Sequence, residues 1–232
     1  MNSFDAIIFD ADGTLVDSED IGLELLFEHA RCCGVQFERK GEVDLLRGRS
    51  MASCLTHLEL RLGRTLPSDF EERLRQSMAE AFADRLQPMP GALHLLQALR
   101  VPNCVATNGP RSKVELTMRV TGLLPLVGDR IFCAPEVGSF KPDPGLFLTA
   151  AAELGVSPER CAVVEDSEPG MLAGLRAGMH VFAIQSHRPL PPAMAGRVHM
   201  LQRLQDLLEC QRNDRRTDVP LGDRSWIQGR SE

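Results

Sequence analysis

The stretch Asp5-Ala6-Ile7-Ile8-Phe9-Asp10-Ala11-Asp12-Gly13-Thr14, near the start of the chain, decides the fold. It opens with a short apolar run of β-forming residues and stops at a turn that contains glycine. Such a run is typical of a strand that is buried on both faces of a parallel sheet. Asp10 and Asp12 follow the run directly. The sequence therefore predicts that the chain begins with a buried strand whose carboxyl end carries two carboxylates.

The second half of the chain repeats this pattern. From Gly91 onward, short apolar runs alternate with stretches of helical periodicity. The predicted strands cover residues 103–107, 130–134, 161–165 and 180–184, and a last helix is predicted near 201–210. This alternation is typical of an α/β fold, a doubly wound, Rossmann-like parallel sheet with helices on both faces.

Between residues 18 and 86 the pattern is different, because apolar residues recur every three or four positions, as in Leu23, Leu26, Phe27 and Ala30. This spacing predicts an all-α domain inserted between the first two strands. We therefore expect an α/β core over 1–17 and 87–210 and a helical insert over 18–86. Residues 211–232 are densely charged with little periodicity, which predicts a disordered tail.

Composition excludes several classes of protein. The 232 residues are 43% hydrophobic and 25% charged, which is ordinary for a globular protein. A formal charge of -6 argues against a general nucleic-acid binder. No apolar run approaches the ~20 residues of a membrane-spanning helix, and the acidic N-terminus does not resemble a signal peptide. Seven cysteines without a C-x-x-C pair indicate reduced thiols. We expect a cytoplasmic monomer or weak dimer without membrane or nucleic-acid partners.

Four polar clusters lie at the ends of predicted strands or just before helices, the place where α/β sheets bind ligands. Each cluster alone fits an ordinary turn or helix cap. Together they form a complementary set, because carboxylates suit Mg²⁺, a glycine turn can direct N–H groups at an anion, and a lysine can neutralise charge. The clusters are Asp10-Ala11-Asp12-Gly13-Thr14, Thr107-Asn108-Gly109-Pro110, Lys141-Pro142-Asp143-Pro144 and Glu165-Asp166-Ser167.

In this order the four clusters resemble the signature motifs of the haloacid dehalogenase-like hydrolases, over roughly residues 4–185. The chain is similar to the branch with a helical cap after the first motif, which includes phosphoglycolate phosphatase, β-phosphoglucomutase and sugar phosphatases. The second and third clusters resemble a 6-phosphogluconate phosphatase type. The resemblance implies a phosphatase that uses Mg²⁺ and an aspartyl-phosphate intermediate. Its expected substrate is a small phosphorylated metabolite, a sugar phosphate or a phosphorylated carboxylic acid.

The resemblance also implies roles for individual residues. Asp10 is the expected nucleophile and also a metal ligand. Asp12 is expected to protonate the leaving alcohol and then to deprotonate water, while its carbonyl oxygen binds the metal. Thr107 and Lys141 are expected to hold the transferring phosphoryl group.

Further residues complete the expected site. Asp166 is expected to be a metal ligand, with Glu165 in or near the metal shell. The segment 46–50 resembles the L-x-G-x-[ST] pattern with which related caps recognise substrate, and arginines there suit a carboxylate or a second phosphate. The expected substrate contacts are Asn108, Gly109, Arg47 and Arg49.

Two sequence positions distinguish this chain from some members of the family and so narrow the range of expected activities. Dehalogenase members lack the second aspartate, whereas Asp12 is present here. Mutase members carry a cap histidine twelve residues after the nucleophile, and Gly22 occupies that position here. A mutase of the β-phosphoglucomutase type is the nearest alternative. A non-catalytic binding module that kept the fold is a second alternative, which the presence of both aspartates disfavours.

Overall fold

The computed structural model describes residues 4–37, 41, 45–47, 49–184 and 190–210. Six parallel strands form one sheet in the order β3-β2-β1-β4-β5-β6. The strands are β1 Ala6–Phe9, β2 Asn103–Thr107, β3 Ile131–Cys133, β4 Cys161–Glu165, β5 His180–Ile184 and β6 Val198–Leu201. The residues of the predicted tail, 211–232, lie outside those that the structure describes.

The α-helices with described bounds lie in the connections between the strands. Between β1 and β2 they are α1 Glu19–Cys32, α2 Met51–Leu62, α3 Phe70–Arg85 and α4 Ala92–Ala98. After β2 they are α5 Arg111–Val120, α6 Leu124–Val127, α7 Ala134–Val137, α8 Gly145–Leu154 and α9 Glu168–Arg176. Short 3-10 turns cover Pro158–Arg160, Pro192–Met194 and Leu204–Asp206. Among the described residues, no helix is long and apolar enough to cross a membrane.

Both faces of the sheet are covered, which the side chains of β1 show directly. Ile7 and Phe9 belong to one apolar cluster, which also contains Met118 of α5. Ile8 belongs to a second cluster, together with Phe147 of α8. Because successive strand residues point to opposite faces, a run without polar residues requires apolar partners on both sides. The predicted fold class, a doubly wound parallel sheet, is confirmed.

The strand register brings the predicted motifs to one edge of the sheet. β1 pairs with β2 through Phe9 and Val105, and with β4 through Phe9 and Val164. The three strands run in the same direction, so the residues that follow them emerge side by side. Thr107 and Glu165 are therefore neighbours of the segment that begins at Asp10.

The helical segment between β1 and β2 leaves and rejoins the sheet at adjacent points. The N–H of Asp17 donates to the carbonyl of Gln87 at 3.0 Å, and the N–H of Met89 donates to the carbonyl of Leu15 at 2.9 Å. α1 packs against α3 in the same apolar cluster, to which Leu26 and Leu74 contribute. The helical prediction for this region agrees with the structure, while the exact core and cap boundaries stay predictions.

One strand is missing from the prediction. Residues 207–210 are helical, in agreement with the helix expected near 201–210, but residues 198–201 before them form β6, an edge strand beside β5. Val198 and Leu201 are buried, and His199 and Met200 between them are exposed. This spacing of three resembles a helical pattern more than the alternation of a strand. Pairing with β5 overrides the local pattern here.

Candidate active site

A buried lysine joins two of the strand ends. Lys141, which precedes α8, donates through its Nζ atom to Asp10 Oδ1 and, at 2.6 Å, to Glu165 Oε1. All three residues are buried. Asp10 follows β1 directly, and its N–H donates to the carbonyl of Val164 at 2.9 Å. The sheet therefore fixes the Asp10 backbone while Lys141 fixes its carboxylate.

The main chain of Lys141 is held by Asn108. The Asn108 Nδ2 atom donates to the Lys141 carbonyl at 3.3 Å, and the Lys141 N–H donates to Asn108 Oδ1 at 2.9 Å. The Lys141 ammonium also lies 5.0 Å from the ring centre of Phe147, a distance at which a cation–π attraction contributes. Both polar groups of the Asn108 side chain, which we expected to contact substrate, are thus engaged with the Lys141 peptide.

Glu165 is enclosed by protein groups. Its Oε1 atom accepts from Lys141, and its Oε2 atom accepts from the Ser167 N–H at 3.1 Å and from the Ser167 hydroxyl at 2.8 Å. Helix α9 approaches so closely that a Cβ atom on Gly170 would lie 1.8 Å from Glu165 Oε1. The sequence predicted that Glu165 lies in or near the metal shell. The structure shows in addition that Glu165 binds Lys141.

Asp10, Glu165 and Asp166 form an acidic cluster. Each offers a carboxylate oxygen, and these oxygens lie within 4.8 Å of one another. Asp166 faces the glycine turn after β1, where a Cβ on Gly13 would lie 2.2 Å from Asp166 Oδ2. Hard divalent cations prefer such oxygen donors. The donor set therefore fits a divalent metal ion.

The electrostatics of the cluster agree with a cation site. Burial, and then repulsion from Glu165, raises the pKa of Asp10 to about 7, although Lys141 opposes the shift. Burial, followed by the charges of Glu165 and Asp10, raises the pKa of Asp166 well above its ordinary value. Burial acts to lower the pKa of Lys141, but Asp10 and Glu165 outweigh it and the pKa is raised. Lys141 stays charged, and the carboxylates still lack compensating charge.

The turn that we expect to bind the phosphoryl group follows β2. Thr107 is buried at the strand end, and its hydroxyl oxygen accepts from the Gly109 N–H at 3.0 Å. A Cβ on Gly109 would lie 3.4 Å from Thr107 Oγ1 and 4.0 Å from Asp12 Oδ2. The turn is therefore directly beside the Asp12 carboxylate, as the sequence predicts.

Asp12 is held by two residues that the sequence interpretation missed. The Ser18 hydroxyl donates to Asp12 Oδ1 at 2.6 Å, and Lys113 Nζ donates to Asp12 Oδ2 at 2.7 Å. Burial acts to raise the pKa of Asp12, but Lys113 and Ser18 outweigh it, so the pKa is lowered. One signal was available for Lys113, because the chain has only three lysines and this one lies just after a strand-end motif.

The predicted substrate arginines differ in their surroundings. Arg47 lines a cleft of about 210 Å³ together with Gly13 and Asp166. Its guanidinium is paired with Glu19 at 3.0 Å and with Asp20. Arg47 therefore lies beside the acidic cluster, but Glu19 and Asp20 neutralise its charge. Arg49 is exposed.

The family follows from comparison with known proteins. The model for haloacid dehalogenase-like hydrolases matches residues 4–178, which is most of the chain. The chain belongs to the haloacid dehalogenase-like hydrolase family. The prediction of this family is thus confirmed.

Several curated relatives of this family are phosphatases. The chain is 33% identical over 183 residues to the 6-phosphogluconate phosphatase of Escherichia coli, covering 78% of this chain and 83% of that protein. It is 31% identical over 189 residues to the hexitol phosphatase A of Escherichia coli, covering 79% and 84%. It is 35% identical over 195 residues to a probable pseudouridine-5'-phosphatase of Drosophila melanogaster, covering 78% and 81%.

Solved structures of the family agree with the fold. A family hydrolase from Deinococcus radiodurans, crystallised with bound phosphate and sodium, has a TM-score of 0.74 and 30% identity, covering 92% of this chain and 97% of that one. A haloacid dehalogenase-like protein from Agrobacterium tumefaciens has a TM-score of 0.77 and 27% identity, covering 91% and 99%.

Proposed function

We propose that this hydrolase is a Mg²⁺-dependent phosphatase that forms a phosphoenzyme on Asp10. The observation that carries the proposal is the arrangement around Lys141, which holds Asp10 beside the carboxylates of Glu165 and Asp166. A carboxylate held by a buried cation, next to a second carboxylate that can transfer a proton, is suited to nucleophilic attack on phosphorus. The second carboxylate is Asp12.

The first step transfers the phosphoryl group to Asp10. A carboxylate oxygen of Asp10 forms a bond to phosphorus as the ester P–O bond breaks. The leaving oxygen takes a proton from Asp12 and departs as the alcohol. Asp12 must therefore be protonated at the start of this step, although Lys113 and Ser18 lower its pKa. Asp10 is now an aspartyl phosphate, and Asp12 is ionised and ready for the next step.

The second step releases inorganic phosphate. A water molecule attacks phosphorus while Asp12 accepts one of its protons, and the bond between phosphorus and the Asp10 oxygen breaks. Both carboxyl groups return to their starting states, so protons and charge balance over the cycle.

Fixed charges stabilise the transferring group. In this proposal, Lys141 and the Thr107 hydroxyl bind phosphoryl oxygens, and preorganised charge of this kind is usually the largest contribution to catalysis. Asp10, the Asp12 carbonyl and Asp166 are the groups that would hold Mg²⁺. When bound, the ion supplies positive charge that offsets the charge of the phosphoryl oxygens. Glu165 acts mainly by holding Lys141.

The alternatives have less support. A mutase of the β-phosphoglucomutase type needs the cap histidine, and position 22 is a glycine. The relatives reported above are named as phosphatases rather than mutases. A non-catalytic binding module would not need Asp10 and Asp12, and both are present.

Release of inorganic phosphate from 4-nitrophenyl phosphate tests the proposal. We expect turnover with Mg²⁺ and none with excess chelator. Asp10→Asn should lower kcat by at least ~10³-fold while the protein stays folded, because an amide cannot replace the nucleophile. Wild-type protein that is inactive with every divalent metal, or a variant within tenfold of wild type, would contradict the proposal.

The proposed substrates are small phosphorylated metabolites, either a sugar phosphate or a phosphorylated carboxylic acid. A helical cap over the nucleophile favours molecules small enough to be enclosed. Relatives named for 6-phosphogluconate and for hexitol phosphates support this class. A cytoplasmic location and a monomeric or weakly dimeric state stay predictions.

A further inference from the structure

The carboxylate of Asp12 has a cation on the side away from Ser18. Lys113 Nζ lies 2.7 Å from Asp12 Oδ2, and the residues are 101 positions apart in sequence. About a third of each side chain is exposed, 34% for Lys113 and 33% for Asp12. A charge-assisted hydrogen bond of this length in a partly buried place is stronger than a typical surface ion pair.

The fold explains how Lys113 reaches the site. Helix α5 begins at Arg111, directly after the turn that follows β2, so Lys113 lies in its first turn. The lysine stem passes the glycine of the turn, since a Cβ on Gly109 would lie 3.9 Å from Lys113 Cδ. Arg111, on the same helical turn, points elsewhere and donates to Glu136 and to the Ile131 carbonyl. The helix therefore directs one of its first-turn cations to Asp12 and another to β3.

We propose that Lys113 is a positioning residue that keeps the Asp12 carboxylate in one orientation for both proton transfers. The inference rests on the proposed function, in which Asp12 is the general acid and base. With Ser18 on Oδ1 and Lys113 on Oδ2, both oxygens have a fixed partner. A carboxylate that must serve two successive steps benefits from such a fixed starting position, since a displacement of about 1 Å costs roughly 10²-fold in rate.

Kinetics of three variants test the inference. Lys113→Gln removes the charge, Lys113→Arg keeps it, and Arg119→Gln removes a charge from an exposed position on the same helix. We expect Lys113→Gln to lower kcat for 4-nitrophenyl phosphate by about 10- to 100-fold and KM along with it, so that kcat/KM stays within about threefold of wild type. Lys113→Arg should recover most of the loss, and Arg119→Gln should match wild type.

The phosphoenzyme provides a second readout. Nitrophenolate leaves without a proton, so its first step needs Asp12 little, whereas water attack still needs the base. Lys113→Gln should therefore accumulate phosphoenzyme in rapid-quench experiments, and Asp12→Asn should do the same. A loss confined to KM, or wild-type kcat with no accumulation, would overturn the inference. A loss that Lys113→Arg does not recover, with the melting temperature lowered in both variants, would show a structural role and overturn it too.

Crystal structures of wild type and Lys113→Gln separate this inference from the proposed function. We expect one Asp12 rotamer in the wild type and a shifted or divided carboxylate in the variant. An unchanged Asp12 would overturn the inference whatever the kinetics. If wild-type protein hydrolyses no phosphate ester, the proposed function fails, and the Asp12 position alone decides whether Lys113 orients this carboxylate.

Discussion

At the scale of single residues, Asp10, the proposed nucleophile, carries an electrostatic cost that a bound metal ion would relieve. Asp10 is buried beside two other carboxylates, and Lys141 compensates only part of their charge. A group whose pKa is raised by folding weakens the folded state as the pH rises toward that pKa. The candidate active site is thus assembled at a loss of stability, as is common where function and stability compete.

Asp10→Asn should reveal this cost in chelator-treated protein. The pKa of Asp10 is about 7 when folded, against an ordinary 3.8, so the wild type loses stability between about pH 4 and pH 7. Asparagine does not titrate. Between pH 5 and pH 8, the wild type should therefore lose about 2–3 kcal/mol of unfolding free energy relative to the variant. Urea unfolding of both proteins at pH 5 and pH 8 measures this difference in unfolding free energy. If the unfolding free energy changes equally with pH in both proteins, the prediction is wrong.

Asp166 and Glu165 should differ in their effect on the metal. Asp166→Ala should raise the half-saturating Mg²⁺ concentration by at least ~10-fold, because a direct ligand is lost. Glu165→Gln should mainly lower kcat, since Lys141 loses one of its two carboxylate partners, with the metal requirement within about threefold. Magnesium titrations of initial rate give both quantities. If both variants raise the half-saturating Mg²⁺ concentration equally, the assignment of Asp166 rather than Glu165 as the direct ligand is wrong.

At the scale of elements, glycine sets how closely α9 approaches β4. A Cβ on Gly170 would lie 1.8 Å from Glu165 Oε1, whereas a Cβ on Gly22 of α1 would make an ordinary 3.6 Å contact with Met78. Gly170→Ala should therefore destabilise the protein by about 1–3 kcal/mol through overpacking. Gly22→Ala, the matched control, should stabilise it by up to about 1 kcal/mol through helix propensity. Chemical unfolding measures both, and equal effects would contradict the packing argument.

The elements also show where sequence reasoning succeeds. The strands at 103–107, 161–165 and 180–184 are predicted at their observed bounds, because strands buried on both faces leave an uninterrupted apolar run. β6 is missed because an edge strand with exposed His199 and Met200 lacks that run. The Lys113 contact is missed for another reason. Its partner is 101 residues away, and no local pattern encodes which side chain of α5 faces Asp12.

At the scale of the whole molecule, the family and the phosphatase activity could be predicted because four short motifs occur in a fixed order. Arg47 illustrates what could not be predicted. The L-x-G-x-[ST] pattern placed it at the cleft, but its pairing with Glu19 and Asp20 depends on how α1 packs beside it. Selectivity for a second anionic group therefore has to be measured.

A matched pair of substrates measures that selectivity. 6-Phosphogluconate and glucitol 6-phosphate differ only at carbon 1, a carboxylate in one and a hydroxymethyl group in the other. If Arg47 exchanges its acidic partners for a substrate carboxylate, Arg47→Ala should lower the ratio of their kcat/KM values by about 10-fold, the size of one charge-assisted contact. If Arg47→Ala leaves the ratio of the two kcat/KM values unchanged, Arg47 serves to hold α1 instead. Arg49→Ala, which removes a nearby exposed arginine, is the matched control.

The wide separation of the site residues along the chain has a consequence for how the enzyme matures. Lys141 and Asp10 are 131 residues apart, and Thr14 and Asp166 are 152 apart. Contacts that close such long loops form late, because their entropy must be lost before they contribute. No early folding intermediate with only local helices can therefore hydrolyse phosphate esters. Recovery of activity after dilution from denaturant should report the pairing of β1 with β2 and β4. A nascent chain should stay inactive until β4 and Asp166 have been synthesised.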